Sequence, residues 1–150
     1  MSDSWELFYF KVFDEQIKAL VKDVSHLRDI DPDNYKEHPK TKLLAKVTHA
    51  IRNRVLSNPL DPQFNLGKTL GKKFSHYKRI KEGMPDRYRA FFRFQSSDKS
   101  VIMIWMNNEF TLRKAGSKTD VYNVFLKMLE NQEVPSKWKD LVGKSEKKKQ

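Results

Sequence analysis

The chain has 150 residues, 30 Lys and Arg against 19 Asp and Glu for a formal net charge of +11, four His and no cysteine. That length suits one domain with its own core, and the lack of cysteine excludes a disulfide scaffold, a thiolate metal site and a cysteine nucleophile. The longest apolar run, Val101 to Met106, is too short to cross a bilayer, and Asp3 and Glu6 precede the first Lys, unlike a secretory signal; the expectation is a cytoplasmic domain with a basic surface and no membrane partner.

Trp5 to Phe10 is an aromatic-rich run that reads as a first strand. Phe13, Ile17, Leu20, Val21, Val24 and Leu27 recur at helical spacing and predict an amphipathic helix ending before Asp31-Pro32. Pro39 suits a first helical position, and Leu43, Leu44, Val47, Ile51 and Val55 mark the buried stripe of a second helix, stopped at Asn58-Pro59. Residues 59–76 read as loop, with a short strand around Thr69-Leu70. His76 to Lys81, Arg87 to Phe94 and Val101 to Met106 then change period. They are short, aromatic or β-branched, and separated by Gly83-Met84-Pro85-Asp86 and Ser96-Ser97-Asp98-Lys99, which predicts an antiparallel meander. In the middle strand Tyr88, Ala90, Phe92 and Phe94 point one way, and Arg87, Arg89, Phe91 and Arg93 the other. The first face is expected to pack on the helices and the second to be cationic and open. Val101 to Met106, apolar on both faces, reads as the central strand. Lys118 to Asn131 predicts a third helix capped by Thr119 or Asp120, and Pro135-Ser136 can start a last turn around Trp138 and Leu141. Residues 143–150 read as a frayed basic tail. The expected architecture is one α+β domain, two N-terminal helices on a curved, mainly antiparallel four-stranded sheet, plus a C-terminal helix.

Charge is unevenly distributed along this frame. Residues 1–38 hold nine acids against five bases, whereas residues 67–99 hold ten bases against three acids, six of the ten between Lys78 and Arg93 among Tyr77, Tyr88, Phe91 and Phe92. A cationic stripe with interleaved aromatics is the footprint of a nucleic-acid site. Asp29, Asp31 and Asp33 resemble the start of a calcium loop, but Asn34 stands at the turn glycine and Lys40 at the closing Glu, so a helix-to-helix turn accounts for them. The four His are scattered without ligand spacing, and neither a metal nor a cofactor is expected; His76, beside the basic strand, is a candidate base. What remains is a cationic and phenolic set: Arg79, Lys81, Arg89, Arg87 and Arg93 from the sheet, Arg113 after the central strand, Tyr122 on the third helix. Arginines can neutralise and orient a phosphate, and a Tyr or Lys can move protons. Phe91 is placed to stack a splayed base. The same face also suits a non-catalytic RNA-binding module, and composition and periodicity leave the two readings open.

Tyr77-Lys78-Arg79-Ile80-Lys81, a glycine turn, and Arg87-Tyr88-Arg89-Ala90-Phe91-Phe92-Arg93-Phe94 resemble the core signature of RelE-type bacterial toxins. The chain from Trp5 to Trp138 is similar to the YhaV family within that superfamily, through Asp31-Pro32-Asp33-Asn34-Tyr35, Thr41-Lys42-Leu43-Leu44-Ala45, Trp105 to Arg113 and Lys118 to Leu129. The resemblance implies a single RelE-like toxin domain, expected over residues 1–142, and the lysine-rich composition of 143–150 reads as a basic disordered tail. It implies a type II toxin that cleaves mRNA, in relatives usually on the ribosome, by 2′-hydroxyl attack on the phosphate. It also implies a cognate AbrB-like antitoxin and, through the complex, repression at operator DNA. Carried over residue by residue, Arg79, Lys81, Arg89, Arg113 and Tyr122 are the expected catalytic set. Arg89 and Arg113 would stabilise the phosphorane, Arg79 would position phosphate, and Lys81 with Tyr122 would handle protons, since an arginine stays protonated. Lys78, Arg87, Phe91, Arg93 and Lys118 are the expected RNA contacts. A ParE-like toxin, which inhibits a topoisomerase by protein contact, is the rival with the same fold.

Overall fold

A computed structural model describes residues 4–149. Its sheet has five strands: β1 (Glu6–Phe10), β2 (Lys78–Ile80), β3 (Ala90–Gln95), β4 (Ser100–Met106) and β5 (Ser145–Lys148), in spatial order β2-β3-β4-β1-β5. β1 runs parallel to β4, and the other three pairings are antiparallel. The helices are α1 (Lys11–Ile30), α2 (Pro39–Ala50), α3 (Val121–Glu130) and α4 (Trp138–Gly143). α2 begins with Pro39 behind His38, whose ring nitrogen accepts from Lys40 N–H, and continues as a wider π turn over Ile51–Val55. The segment around Thr69-Leu70 is a turn rather than a strand.

The alternation expected for the middle strand is present, and it sorts two cores. On one face Leu7, Tyr9, Ala90, Phe92, Val101 and Met103 pack against Phe13, Ile17 and Leu20 of α1 and Val47 and Ile51 of the second helix. On the other, Phe10, Tyr77, Phe91, Ile102, Ile104 and Trp105 pack against Val121, Phe125 and Leu129 of α3 and Leu141 of α4. The second face is therefore not open, as the charge pattern suggested, but roofed by the C-terminal helices. Its physical reason lies in two apolar stripes that each need a partner: the inner strand is apolar on both sides, and α3 presents Val121, Phe125 and Leu129 at helical spacing. Phe91↔Trp105 and Phe92↔Met103 are neighbouring pairs, so Ile104 is the extra residue of a bulge in β4. It turns Ile104 and Trp105 together into the α3 side.

The tail provides the main correction to the expected architecture. Ser145–Lys148 is a fifth strand, hydrogen-bonded to the outer edge of β1, and not disordered. Polar sequence suits an edge strand, whose outer face meets water. Its lysines also have acids to meet: Lys148 Nζ lies 2.5 Å from Asp14 Oδ1, and Lys147 Nζ 3.4 Å from Glu6. Asp14 is 5% exposed and pairs with Lys18 as well, at 2.9 Å. Burial alone would raise its pKa, but the hydrogen bonds and charges of Lys148 and Lys18 outweigh burial and hold the carboxyl below its usual value. A depressed folded pKa contributes stability that is complete above the unfolded value of about 3.9 and lost as pH falls through the folded one. Thermal scans between about pH 6 and pH 2 should accordingly show the wild type losing melting temperature faster than Asp14→Asn below about pH 4. Parallel curves for the two proteins would exclude this ion pair as the source.

Candidate active site

The cationic residues converge where β2, β3 and the N-terminus of α3 meet. Tyr122, 6% exposed, sits in the first turn of α3, held there by the Asp120 cap, whose Oδ2 accepts Tyr122 N–H at 3.2 Å. Its hydroxyl oxygen accepts from Arg79 Nη1 at 2.7 Å and from Arg89 Nε at 3.1 Å. The Arg113 guanidinium carbon lies 5.0 Å from the Tyr122 ring centroid and that of Arg79 5.5 Å, within the range of cation–π attraction. One phenol thus gathers Arg79, Arg89 and Arg113, residues from three separate segments. Arg79 Nε is buried without a hydrogen-bond partner, an unsatisfied donor inside the cluster.

Two residues that the sequence reading did not assign to the site build it. Asn107, directly after β4 and 2% exposed, accepts Arg89 N–H on Oδ1 at 2.8 Å and donates Nδ2 to the carbonyls of Arg87 (3.2 Å) and Thr111 (2.9 Å). The Arg87 carbonyl also accepts Arg113 N–H at 2.9 Å, so the chain entering β3 is tied to the chain leaving β4. Arg87 itself has φ +66°, a left-handed conformation costly for a residue with a Cβ and maintained by those bonds. Asp120 was expected only as a helix cap; it also pairs with Arg113 Nη1 at 2.8 Å. A polar residue closing an apolar strand, and an acid seven residues after an arginine, were the available signals, but neither spacing specifies a contact.

The other expected residues are placed less uniformly. Lys81 follows β2, exposed, its side chain without a hydrogen-bond or ion-pair partner among the described residues. Lys118 is likewise exposed in the loop before α3, and the Arg87 side chain is exposed beside the cluster. Lys78 Nζ donates to Asn65 Oδ1 at 2.9 Å. Arg93 lies apart from Tyr122: its guanidinium stacks on Tyr77 and Trp138, 5.1 and 5.6 Å from their centroids, and donates to the Ser136 carbonyl at 2.9 Å. His76 belongs to that second group; burial first, then the charges of Arg93 and Lys78, lower its pKa. Phe91 is fully buried, stacked 4.1 Å from Phe125 and set edge-on to Tyr122, so it cannot stack a nucleobase as expected. Its ring belongs to the core because α3 covers that face.

A site of this kind offers two guanidinium groups without a carboxylate partner among the described residues, one phenol, and the lysine that follows β2, which together suit binding and cleavage of a phosphodiester. Comparison with known proteins points the same way. The family model described as a toxin with endonuclease activity, of toxin-antitoxin system, matches residues 7–146. The chain is 42% identical over 145 residues to the ribonuclease toxin YhaV of Escherichia coli (strain K12), covering 96% of this chain and 94% of that protein. Identity and coverage are the same for toxin YhaV of Escherichia coli O6:H1. No solved structure matches the chain.

Proposed function

From the premise that this chain belongs to the YhaV family, toxins with endonuclease activity of toxin–antitoxin systems, we propose that it cleaves messenger RNA at the Tyr122 cluster by attack of a 2′-hydroxyl on the adjacent phosphate. One observation carries the reading: Arg79 and Arg89, neither paired with a carboxylate among the described residues, donate to a single phenol oxygen. A phosphate entering beside Tyr122 meets both guanidiniums, and its oxygens supply the acceptor that Arg79 Nε lacks. As the 2′-oxygen bonds to phosphorus, the added negative charge on the phosphorane oxygens is stabilised by Arg89 and Arg79. Arg113, over the Tyr122 ring, completes the cationic surround. The bond to the 5′-oxygen breaks, leaving a 2′,3′-cyclic phosphate and a 5′-hydroxyl. The Tyr122 oxygen already accepts two N–H bonds, so its own proton is the one free to pass to the departing 5′-oxygen. Lys81, the residue that follows β2, is the group assigned to take up the 2′-hydroxyl proton. No step requires a metal ion.

Lys78, Arg87 and Lys118 guide the RNA backbone as salt-sensitive phosphate contacts. We further read the RelE-like architecture as the scaffold, the ribosome as the place where message is presented, and an AbrB-like antitoxin as the cognate partner. An acidic antitoxin segment over the arginines would block RNA, and the complex would act at operator DNA. The gene immediately upstream tests that partner directly: a short reading frame with an AbrB-like start is expected.

The activity is tested by incubating the protein with naked RNA and with translating ribosomes in chelator, then mapping 5′ ends. Cleavage with 5′-hydroxyl products is expected from the wild type, and none from an Arg89→Ala variant whose melting curve stays cooperative. Full activity in folded Arg89→Ala would remove Arg89 from the mechanism. Salt-dependent RNA binding without product would favour a binding module, and DNA damage without loss of message a ParE-like toxin.

A further inference from the structure

The three arginines around Tyr122 differ in what else they hold. Arg79 and Arg89 have no ion pair among the described residues; Arg89 Nη1 donates to the Tyr88 carbonyl at 2.9 Å. Arg113 is bound to Asp120, whose side chain is 4% exposed while that of Arg113 is 36% exposed. The Asp120 carboxylate has further bonds within the chain: Oδ1 accepts Lys114 N–H at 2.5 Å, and Oδ2 accepts Tyr122 N–H at 3.2 Å. A buried carboxylate requires a cation or several N–H donors, and Asp120 has both. It therefore grips the backbone that carries Tyr122 and the guanidinium lying over the Tyr122 ring.

We propose that Asp120 is a positioning residue that cancels the charge of Arg113 and holds it as a support for Tyr122, leaving Arg79 and Arg89 as the two arginines of the cluster that engage the substrate phosphate. This rests on the ribonuclease reading of the site, and it revises one role within it: Arg113 braces the phenol and is not a phosphate contact. The arrangement keeps a third full positive charge away from the phosphate, where it would bind the uncleaved strand as readily as the transition state. Binding both equally lowers KM without raising kcat.

The test is the salt dependence of binding to a fully 2′-O-methylated single-stranded RNA, which cannot be cleaved, alongside cleavage of the unmodified strand. Asp120→Asn retains an N-cap and frees Arg113. It is expected to steepen the slope of log K against log salt by about 0.7, the increment for one added phosphate contact on a single strand. At low salt it should bind the probe more tightly while kcat falls about ten- to a hundredfold, as Tyr122 loses its brace. Arg113→Ala is expected to leave the slope at the wild-type value, because the slope counts phosphate contacts and a guanidinium held by Asp120 makes none. An unchanged slope in folded Asp120→Asn, or a slope about 0.7 shallower in Arg113→Ala, would overturn the proposal. If Asp120→Asn does not fold, the Arg113→Ala slope decides alone, supporting the proposal if unchanged and overturning it if shallower. A wild-type protein that neither cleaves RNA nor binds it salt-dependently would instead overturn the ribonuclease reading, and this inference with it.

Discussion

Phe91→Ala is expected to destabilise the protein by about 3–5 kcal/mol, the cost of deleting a buried phenyl ring and leaving a cavity. Phe91 is fully buried, its ring stacked on Phe125 (4.1 Å) and Trp105 (6.0 Å) and edge-on to Tyr122 (5.8 Å). For a chain of this length that corresponds to a fall in melting temperature on the order of 10–15 °C, measurable by circular dichroism. RNA cleavage should fall with it even below the transition, because the ring supporting Tyr122 is gone. A residue that stacked a nucleobase would behave differently. Its alanine variant would melt within about 3 °C of the wild type and lose RNA affinity, and that outcome would return Phe91 to the binding surface.

The second large effect is expected from Tyr122→Phe. The substitution keeps the ring, its edge contact with Phe91 and the cations over its face, and removes only the oxygen that Arg79 and Arg89 share. Under single-turnover conditions cleavage should slow by about 10²–10⁴-fold, the usual contribution of a positioned proton donor. Affinity for the 2′-O-methylated strand should change little, since no cation is lost. Stability should fall by roughly 1–3 kcal/mol, because guanidinium donors in a half-buried site lose an acceptor. A rate within a few-fold of wild type would eliminate Tyr122 as the proton donor. Topoisomerase inhibition through protein contact would have no need of that hydroxyl, so the same variant separates the two toxin classes.

Much of this structure could be anticipated from local pattern. Helical spacing from Phe13 to Leu27 located α1, Pro39 located the start of α2, and alternation from Tyr88 to Phe94 separated the two sheet faces correctly. The misjudgements share one cause: a local pattern states which residues need covering, but not what covers them. The arginines in alternate positions made the Phe91 face look open, although the apolar stripe of α3 was visible and had no other surface to meet. The lysine-rich end read as a frayed tail because its pairing partner, the edge of β1, lies at the opposite end of the chain. Charge and resemblance are enough to single out Arg79, Arg89, Arg113 and Tyr122 in the sequence. Their grouping depends on Asn107 and Asp120, whose contacts span 18 residues to Arg89 and seven to Arg113. Arg93 illustrates the converse: it lies on the expected face, but its guanidinium is engaged by Tyr77, Trp138 and the Ser136 carbonyl and not by Tyr122.

The place of β1 in the sheet has a consequence for biosynthesis. It is translated before every other strand of the sheet, yet its neighbours are β4 and β5, with Leu7 opposite Val101 on one side and Lys148 on the other. Until those residues leave the ribosome, β1 carries two unpaired edges, and Asp14 lacks one of its lysine partners. Contacts so distant in sequence are slow to form. Arg79, Arg89 and the Asn107 tie are all translated before β5, so the cluster is complete in sequence while the sheet is still missing its last strand. A nascent toxin therefore passes through an interval in which an exposed strand edge is available to a chaperone or to a co-translated partner, before the chain closes on itself.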